Sequence, residues 1–493
     1  MMLARGLLCL LGSLGLMWSL AAEAKAPAAT ELAGTPITIA QRYTMKSQVL
    51  DETRAYIVHK PPGYDFSGAS YPLVVLLDGD ANIQHVSATV DFLANAGRAL
   101  PMIVVGIENT DRDRDLTPPL TGAKPENLPS GSYGGADKFL SFIADELLPR
   151  IDRTYRTTPA RILVGHSYGG LFAIYTFLHR PDLFRAYIAA SPSLGWDNQA
   201  LAKQADQFAA DHKDLHAAVF MTVASEGGQT LGNTQKVVGA LTSARGNIQA
   251  TFQHLPEETH GSTVLRSVYA GMEWLYEPYK IDRPVRAYEE SGMAYFEKRF
   301  AALSSLFGYE VKIPLDMLMN IQWQLTQGKR PAEAQKVLQK TLQLYPDSAN
   351  AHFDLANSYL ETGDKQHARE EFTKALQLYP GNTETRAALE KLGVSPTAIV
   401  SDAAPAAAVL RGYVGDYRYL DEISQVTFEG GKLFVTVRHD KRELRPTAND
   451  SFYAVDADRE YTFKSSSKAS PRDTSMTVHL PGFSYECVKI GRH

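Results

Sequence analysis

The region from about residue 37 to residue 278 alternates short apolar runs with segments of helical spacing. The apolar runs are rich in Val, Ile and Ala, and in chain order they are AYIVHK, YPLVVLL, MIVVGI, RILVG, AYIAAS, HAAVFMTVAS and IQATFQHL. Alternation of this kind predicts a mostly parallel sheet with helices on both faces, because parallel neighbours need a crossover between them. We therefore expect an α/β fold whose chemistry lies at the carboxyl ends of the strands.

A second pattern begins near Phe300 and repeats along the chain. The stretch TLQLYP at 341–346 returns as ALQLYP at 375–380, an offset of 34 residues that Ala334 and Ala368 also keep. A period of 34 is typical of tetratricopeptide repeats, which are helical pairs. Two clear repeats are fewer than a free-standing array needs. The segments LDMLMNIQWQL and TETRAALEKLG are therefore expected to supply flanking helices, or the array packs on a neighbour.

The carboxy-terminal region has the alternation of strands. QVTFEGGKLFVTVR consists of two alternating runs about Gly430 and Gly431, which is a hairpin signal. This predicts a small antiparallel β domain, in which His439 and Asp440 belong to a solvated loop rather than a site. The expected divisions are a signal peptide (1–26), an α/β domain (27–299), a tetratricopeptide region (300–394), a linker (395–408) and the β domain (409–493).

The first residues have the pattern of a secretory signal peptide. Arg5 precedes an apolar stretch at 6–20, and small residues follow at Ala22, Ala24 and Ala26. An uncleaved membrane anchor is the alternative, but this stretch is shorter than the roughly 20 residues that span a bilayer. The expectation is an exported protein, periplasmic or secreted, that is cleaved after Ala24 or Ala26 and then has no transmembrane span.

Composition narrows the classes of partner. The net charge is −5, from 50 basic and 55 acidic residues without blocks of one sign, so nucleic acid and anionic membranes are not expected partners. Cys9 leaves with the leader and Cys487 stands alone, so no internal disulfide is expected. The sequence has no His-x-Glu motif or Cys cluster that would suggest a metal or an organic cofactor. A small-molecule substrate is the favoured expectation.

The segment RILVGHSYGGLFAIY places Ser167 between Gly165 and Gly169. RILV is typical of a buried strand, and the apolar residues after the serine recur at helical spacing as far as Pro181. A serine on a sharp turn between a strand and a helix forms a nucleophile elbow, where glycines relieve crowding and the helix directs its positive end at the reaction centre. The segment therefore predicts that Ser167 is a nucleophile; the alternative is an ordinary glycine turn.

A serine hydroxyl needs a base, and histidine is the usual one. In folds of this kind the base follows the nucleophile in the chain, which leaves His216, His254 and His260. His216 is expected to open a strand and His254 to lie within one, where a structural role is favoured. His260, in LPEETHGSTVL, falls in the loop after the last strand. That loop lies on the same rim as Ser167, so His260 is the predicted base.

The sequence identifies the acid that would orient the base less clearly than it identifies the nucleophile and the base. FMTVASEGGQT ends a strand at Glu226, which brings a carboxylate to the same rim. Glu257 and Glu258 are very close in sequence to His260, which makes orientation of its ring difficult. The sequence favours Glu226, with a surface carboxylate and a Ser-His dyad as alternatives.

The oxyanion hole should use two backbone N–H groups. One is that of Tyr168, the residue after the nucleophile. The second is expected from the loop in VVLLDGDANI, where Gly79 allows an unusual backbone path and Asp80 supplies the candidate N–H. A mere turn at this point is the alternative.

An ordered set of motifs resembles the putative-esterase family of α/β-hydrolases, which includes esterase D-like enzymes, siderophore esterases and mycolyltransferases. The motifs lie between residues 37 and 279: YPLVVLLDGD, VGIENTDRDRDLTPP, GGADKFLSFIADELLPRIDRTYRT, GHSYGGLFAIYTFL, AASPSLGWD and ETHGS. The resemblance implies an α/β-hydrolase fold with a nucleophile at Ser167, a base at His260, an acid near Glu226 and an oxyanion donor at Asp80. The carboxy-terminal region also resembles β domains appended to some bacterial serine hydrolases.

The expected function is that of an exported serine esterase that acts on a small-molecule ester through an acyl-enzyme. Relatives among the siderophore esterases often have an aromatic pair where this chain has Gly195 and Trp196, a departure that argues against a bulky catecholate substrate. The alternatives are an acyltransferase of the same fold and an interaction protein whose repeats bind a protein partner beside an inactive hydrolase domain.

Overall fold

A computed structural model describes residues 37–122, 128–243, 245–400, 405–448, 450–464, 474–480 and 483–490. The predicted signal peptide and residues 401–404 of the predicted linker lie outside the described residues. Residues 39–493 form one compact unit. No helix in the described part of the chain has both the length and the apolarity of a membrane-spanning segment.

The expected α/β sheet is present and has eight strands in the order β1-β2-β4-β3-β5-β6-β7-β8. β1 and β2 are antiparallel to their neighbours, and β3 to β8 run parallel. The seven predicted runs correspond to β2–β8, whereas β1 was not predicted, because its side chains are exposed or half-buried and form no apolar run. The strands are β1 (Gln41–Lys46), β2 (Thr53–His59), β3 (Tyr71–Leu76), β4 (Ile103–Ile107), β5 (Thr157–His166), β6 (Ala186–Ala190), β7 (Ala217–Val223) and β8 (Ile248–His254).

Helices cover both faces of this sheet, so the central strands are apolar throughout. Leu73 and Val75 pack in one core, and Val74 and Leu76 in another on the opposite face. A π-helical segment, Phe142–Leu147, joins α3 to α4. The helices are α1 (Gly79–Asn95), α2 (Arg112–Leu116), α3 (Ala136–Ser141), α4 (Leu148–Thr154), α5 (Tyr168–His179), α6 (Trp196–Asp211), α7 (Gly228–Ser243) and α8 (Thr263–Leu275).

In the repeat region α10 packs on α11 and α12 packs on α13, and the two segments predicted as flanking helices are α10 and α14. A long helix, α9, precedes them and is interrupted at Gly292, whose φ is 66°. The bounds are α9 (Pro284–Phe307), α10 (Leu315–Gln327), α11 (Pro331–Leu344), α12 (Ala349–Glu361), α13 (Lys365–Leu378) and α14 (Thr383–Lys391).

The repeats share a hydrophobic core with the sheet. Phe300 and Phe307 of α9 and Ile321 of α10 are buried in the same cluster as Val74 and Ile162 of the sheet. The array therefore packs on the α/β part, which is the second of the two arrangements expected for so few repeats. The predicted division between residues 299 and 300 falls inside α9, so it does not coincide with a break in the core.

Loss of one α9 side chain should measure this shared core. Phe300 is 3% exposed, and we expect Phe300→Ala to lower the free energy of unfolding by about 3 kcal/mol, because it removes a buried ring and leaves a cavity. Phe92, which is 59% exposed on α1, provides the matched control. Chemical denaturation followed by circular dichroism measures both. Equal, small effects would show that α9 is not part of the core.

The predicted antiparallel β domain is a closed eight-stranded barrel, preceded by helix α15 (Ala407–Gly412). Its interior is filled by side chains that include Tyr417, Phe463 and Cys487. Burial raises the pKa of the Cys487 thiol to about 12. His439 lies in a turn and Asp440 begins the next strand. The strands are β9 (Gly415–Tyr419), β10 (Glu422–Glu429), β11 (Lys432–Val437), β12 (Asp440–Ala448), β13 (Ser451–Ala454), β14 (Glu460–Lys464), β15 (Ser475–Leu480) and β16 (Phe483–Ile490).

Candidate active site

Ser167 occupies the turn between β5 and α5 with a left-handed backbone, φ 57° and ψ −114°. The expected strand, turn and helix are therefore all present. A Cβ at Gly165 would lie 2.2 Å from the backbone oxygen of Gly169, so the chain can bend this sharply only with glycine at that position. Non-glycine residues in this backbone region are strained, and such strain is concentrated at functional sites. The twelve-residue helix α5 starts directly after the serine and directs its positive end at it.

Two of the predicted residues, Glu226 and His260, are joined by a hydrogen bond between Glu226 Oε1 and His260 Nδ1. Glu226 follows β7 and His260 follows β8, so the carboxyl ends of these strands bring them to one rim of the sheet. The bond leaves Nε2 of His260 available to another partner. The other two candidate histidines stand elsewhere: His216 precedes β7 at the opposite edge of the sheet, and His254 is the exposed last residue of β8.

The electrostatics of Glu226 suit the role of a permanent carboxylate. Burial alone would raise the pKa of Glu226, but hydrogen bonds from His260, from its own backbone and from Ser191 lower the pKa below its ordinary value. Glu226 is therefore ionised at neutral pH. An ionised carboxylate on Nδ1 fixes the tautomer of His260 and would stabilise the imidazolium that forms when Nε2 takes a proton.

Ser167 and His260 lie in adjacent loops but are not hydrogen-bonded to each other. Among the described residues, the side-chain hydrogen bond of Ser167 Oγ is a long one, 3.4 Å, to Ser193 Oγ. The ring of His166, the residue before Ser167, has its centroid 4.6 Å from that of His260. In the absence of substrate, catalytic hydrogen bonds are often long and tighten only in the complex.

The loop with the predicted oxyanion donor Asp80 lies against the elbow. A Cβ at Gly169 would lie 3.3 Å from Asp78 Oδ2 and 3.5 Å from the Leu77 side chain, which places this loop beside the first turn of α5. Gly79 begins α1, and a Cβ there would lie 2.4 Å from the backbone of Gly106, so this close approach requires glycine. The N–H groups of Tyr168 and Asp80 thus belong to the first turns of two helices that begin on the same rim.

Arg112, which sequence reasoning missed, links this loop to the elbow. Its guanidinium binds both carboxylate oxygens of Asp78, at 2.6 and 3.1 Å, and the backbone oxygen of His166 at 3.2 Å. Asn109 adds a hydrogen bond of 2.8 Å to Asp78. The only signal in the sequence was the run DRDRD, which does not reveal which of its charges turns toward the site.

A buried ion pair holds the segment that carries Arg112. Arg54 of β2 is 2.6 Å from Asp115 of α2, and their side chains are only 1% and 2% exposed. The Arg54 guanidinium also lies 5.1 Å from the centre of the Phe139 ring. Because an unpaired charge at this depth would be costly, the pair fixes α2 against the sheet.

A cavity of about 1140 Å³ opens beside the elbow. Tyr168 and Trp196 form part of its wall, with ring centroids 5.7 Å apart, and the Tyr133 ring also lies 5.7 Å from that of Trp196. The indole N–H of Trp196 donates to the backbone oxygen of Pro118 at 3.0 Å, which fixes the ring. Since this volume exceeds that of ordinary ligand pockets, it can hold a large substrate with aromatic groups.

Comparisons with known proteins find matches for two parts of this chain. Residues 47–260 match the family described as "Putative esterase", and residues 325–392 match a tetratricopeptide repeat. The chain is 33% identical over 174 residues to the ferri-bacillibactin esterase BesA of Bacillus subtilis, which covers 32% of this chain and 60% of that protein. It is 36% identical over 161 residues to the siderophore enterobactin esterase of Emericella nidulans, covering 29% of this chain and 53% of that protein.

A solved structure extends the likeness to the fold. The crystal structure of an IroE-like serine hydrolase from Shewanella oneidensis superposes with a TM-score of 0.54 and 28% identity, covering 62% of this chain and 99% of that one. The matches to the two curated esterases span 53% and 60% of their length. Residues 47–260 accordingly match the putative-esterase family and have the α/β-hydrolase fold, and residues 325–392 of the same chain match a tetratricopeptide repeat.

Proposed function

We propose that this protein is a serine esterase. Ser167 Oγ attacks the carbonyl carbon of a carboxylic ester while His260 Nε2 takes the hydroxyl proton, and Glu226 stabilises the resulting imidazolium. The tetrahedral intermediate collapses as His260 returns the proton to the leaving alcohol, which leaves an acyl group on Ser167. Water, deprotonated by the same histidine, then attacks this acyl-enzyme and releases the acid.

The backbone N–H groups of Tyr168 and Asp80 are the proposed oxyanion hole. Both stand in the first turn of a helix, where N–H groups lack an intrahelical partner and the helix dipole favours negative charge. Hydrogen bonds aimed at the developing oxyanion are among the largest contributions to catalysis of acyl transfer.

One observation carries the proposal. The strained, left-handed Ser167 and the hydrogen-bonded pair of Glu226 and His260 lie on one rim of the sheet, although they are up to 93 residues apart in the sequence. A glycine-rich turn of purely structural origin would need neither the strained serine nor a histidine oriented by a carboxylate beside it.

For the substrate we favour an ester of a siderophore, which the names of the curated relatives support. Gly195 in place of an aromatic residue argued against a bulky substrate, but the cavity of about 1140 Å³, which Tyr168 and Trp196 help to line, has room for one. A graded series of 4-nitrophenyl esters, together with a cyclic trilactone siderophore, tests the activity and the substrate class. The expected result is turnover of short activated esters and a higher kcat/KM on the trilactone. Absence of turnover of every ester would contradict the proposal.

The acyltransferase alternative makes a different product. An acyl-enzyme that prefers an alcohol to water would give a new ester when an alcohol is added, whereas a hydrolase gives mainly the free acid. Product analysis by mass spectrometry distinguishes the two.

Export and partner binding complete the proposal. The signal peptide predicted at residues 1–26 supports delivery to the periplasm or the exterior, and sequencing the amino terminus of the native protein tests its cleavage. The repeats at 325–392 support a role in binding a protein partner or in controlling access of substrate, separate from the chemistry.

A further inference from the structure

His166, the last residue of β5, reaches from the elbow to the loop of the proposed base. Its Nε2 lies 2.7 Å from the backbone oxygen of His260. The two imidazole rings have centroids 4.6 Å apart and planes inclined by 45°. None of the chemical steps assigned to Ser167, His260 and Glu226 uses the His166 side chain.

The direction of this hydrogen bond is fixed by its acceptor. A carbonyl oxygen can only accept, so Nε2 of His166 must carry a proton and donate. Burial lowers the pKa of His166, and the neighbouring His260 lowers it further, against the opposing effect of the backbone hydrogen bond. The ring is therefore neutral at neutral pH, with its single proton on Nε2. It can hold the His260 loop without placing a second positive charge beside the imidazolium that forms in catalysis.

This hydrogen bond is a direct connection between the two halves of the site. Within the parts of residues 165–169 and 256–262 that the structure describes, no other hydrogen bond joins the elbow to the base loop. Other hydrogen bonds of that loop go to the segment after β7, such as Ser225 N to Glu258 O at 2.9 Å, or stay within the loop, such as Thr259 N to Ser262 Oγ at 3.0 Å. Glu226 likewise holds Nδ1 of His260, the nitrogen opposite the one that must reach Ser167.

We infer that His166 is a positioning residue whose Nε2–H holds the His260 backbone within reach of Ser167. The inference rests on the proposed function of Ser167 and His260. Its physical basis is that a displacement of about 1 Å between reacting groups can lower the rate about 10²-fold.

Two substitutions of His166 separate the effect of its hydrogen-bond donor from the effect of its ring contact. His166→Gln keeps an N–H donor near the place of Nε2, whereas His166→Phe keeps a ring against His260 but has no donor. On 4-nitrophenyl butyrate we expect His166→Phe to lower kcat by about 10- to 100-fold with KM changed less than about 3-fold, because only the alignment of the reacting groups is lost. His166→Gln should keep kcat within about 3-fold of the wild type, since the hydrogen bond is restored.

His179 at the end of α5 provides a matched control. Its Nδ1 lies 2.9 Å from the backbone oxygen of Tyr175, and its ring lies 4.0 Å from the Tyr175 ring. His179→Phe thus removes the same kind of contact away from the proposed base. Thermal unfolding of all three variants reports any loss of stability, and kcat should remain at the wild-type value in His179→Phe.

The rate of reaction with a fluorophosphonate probe gives a readout that does not depend on the ester chosen. If the wild-type protein and the His166→Phe variant react with the probe at the same rate, the role of His166 is overturned and the proposed function still stands. Equal losses of kcat in His166→Phe and His166→Gln would also overturn it, because the donor would then not matter. A wild-type protein that does not react at Ser167 would remove the proposed function and this inference together.

Discussion

Ser167→Ala is expected to lower kcat on a small activated ester by at least about 10³-fold, because the reaction loses its nucleophile. The fold should remain intact, since the substitution removes only a hydroxyl that makes one long hydrogen bond, to Ser193. Steady-state kinetics and circular dichroism measure the two effects. Alanine also relieves none of the backbone strain at this position, because it too has a Cβ.

The control is Ser243→Ala, which removes an exposed hydroxyl at the end of α7, remote from the elbow. This variant should turn over esters at the wild-type rate. Near-normal activity in Ser167→Ala would mean that the elbow is structural and that the ester bond is broken by another group.

Replacement of the proposed base has the second largest expected effect. His260→Ala should lower kcat by about 10³-fold, since the serine hydroxyl then has no acceptor for its proton. His254→Ala should leave kcat unchanged, because that exposed residue at the end of β8 makes no hydrogen bond to the described part of the site. A His254 variant as inactive as the Ser167 variant would contradict the assignment of the base.

Glu226→Gln should reduce kcat less than the loss of either partner, since the acid orients and stabilises the base but does not transfer the proton.

The contribution of Glu226 to the stability of the fold should depend on pH. Because the pKa of Glu226 is lowered on folding, its ionised form contributes stability above its ordinary pKa, and that contribution is lost as the pH falls through the lowered value. Loss of activity between pH 5 and 8 therefore has to come from the titration of a group other than Glu226.

The central strands were the easiest elements to predict from the sequence. The apolar runs that became β3, β4, β6 and β7 are recognisable because parallel strands covered by helices on both faces have no polar face. β1 was not predicted because only Tyr43 and Met45 of this edge strand pack against the core, and exposed polar residues flank them. The other edge strand, β8, was recognisable because more of its residues are apolar and pack on the core.

The pairing of Glu226 with His260 could be predicted because it follows from topology. Residues after successive parallel strands meet at one edge of the sheet, whatever the details of packing. The link from Arg112 to Asp78, and the contact of His166 with the base loop, depend on which way individual side chains turn. Short-range patterns carry no information on that choice.

Domain limits were the least predictable feature. The repeat period located the repeats, and their small number left packing on a neighbour as one of two expectations, but neither showed that α9 and α10 share a core with the sheet. Such sharing depends on residues far apart in the chain, such as Val74 and Phe300, being buried in one cluster. Likewise, the pairing of β9 with β16 that closes the barrel could not be predicted. Alternation of apolar and polar residues indicates where strands are, but it does not indicate which strands pair.

The most direct test is to map the site of covalent modification by a fluorophosphonate probe. Tryptic mass spectrometry of the labelled protein should find one adduct per chain, on Ser167, with the reaction slowed by about 10³-fold in His260→Ala because the hydroxyl is no longer activated. Labelling of Ser167 at the wild-type rate in His260→Ala, an adduct on a different residue, or no adduct in a folded wild-type protein would contradict the account.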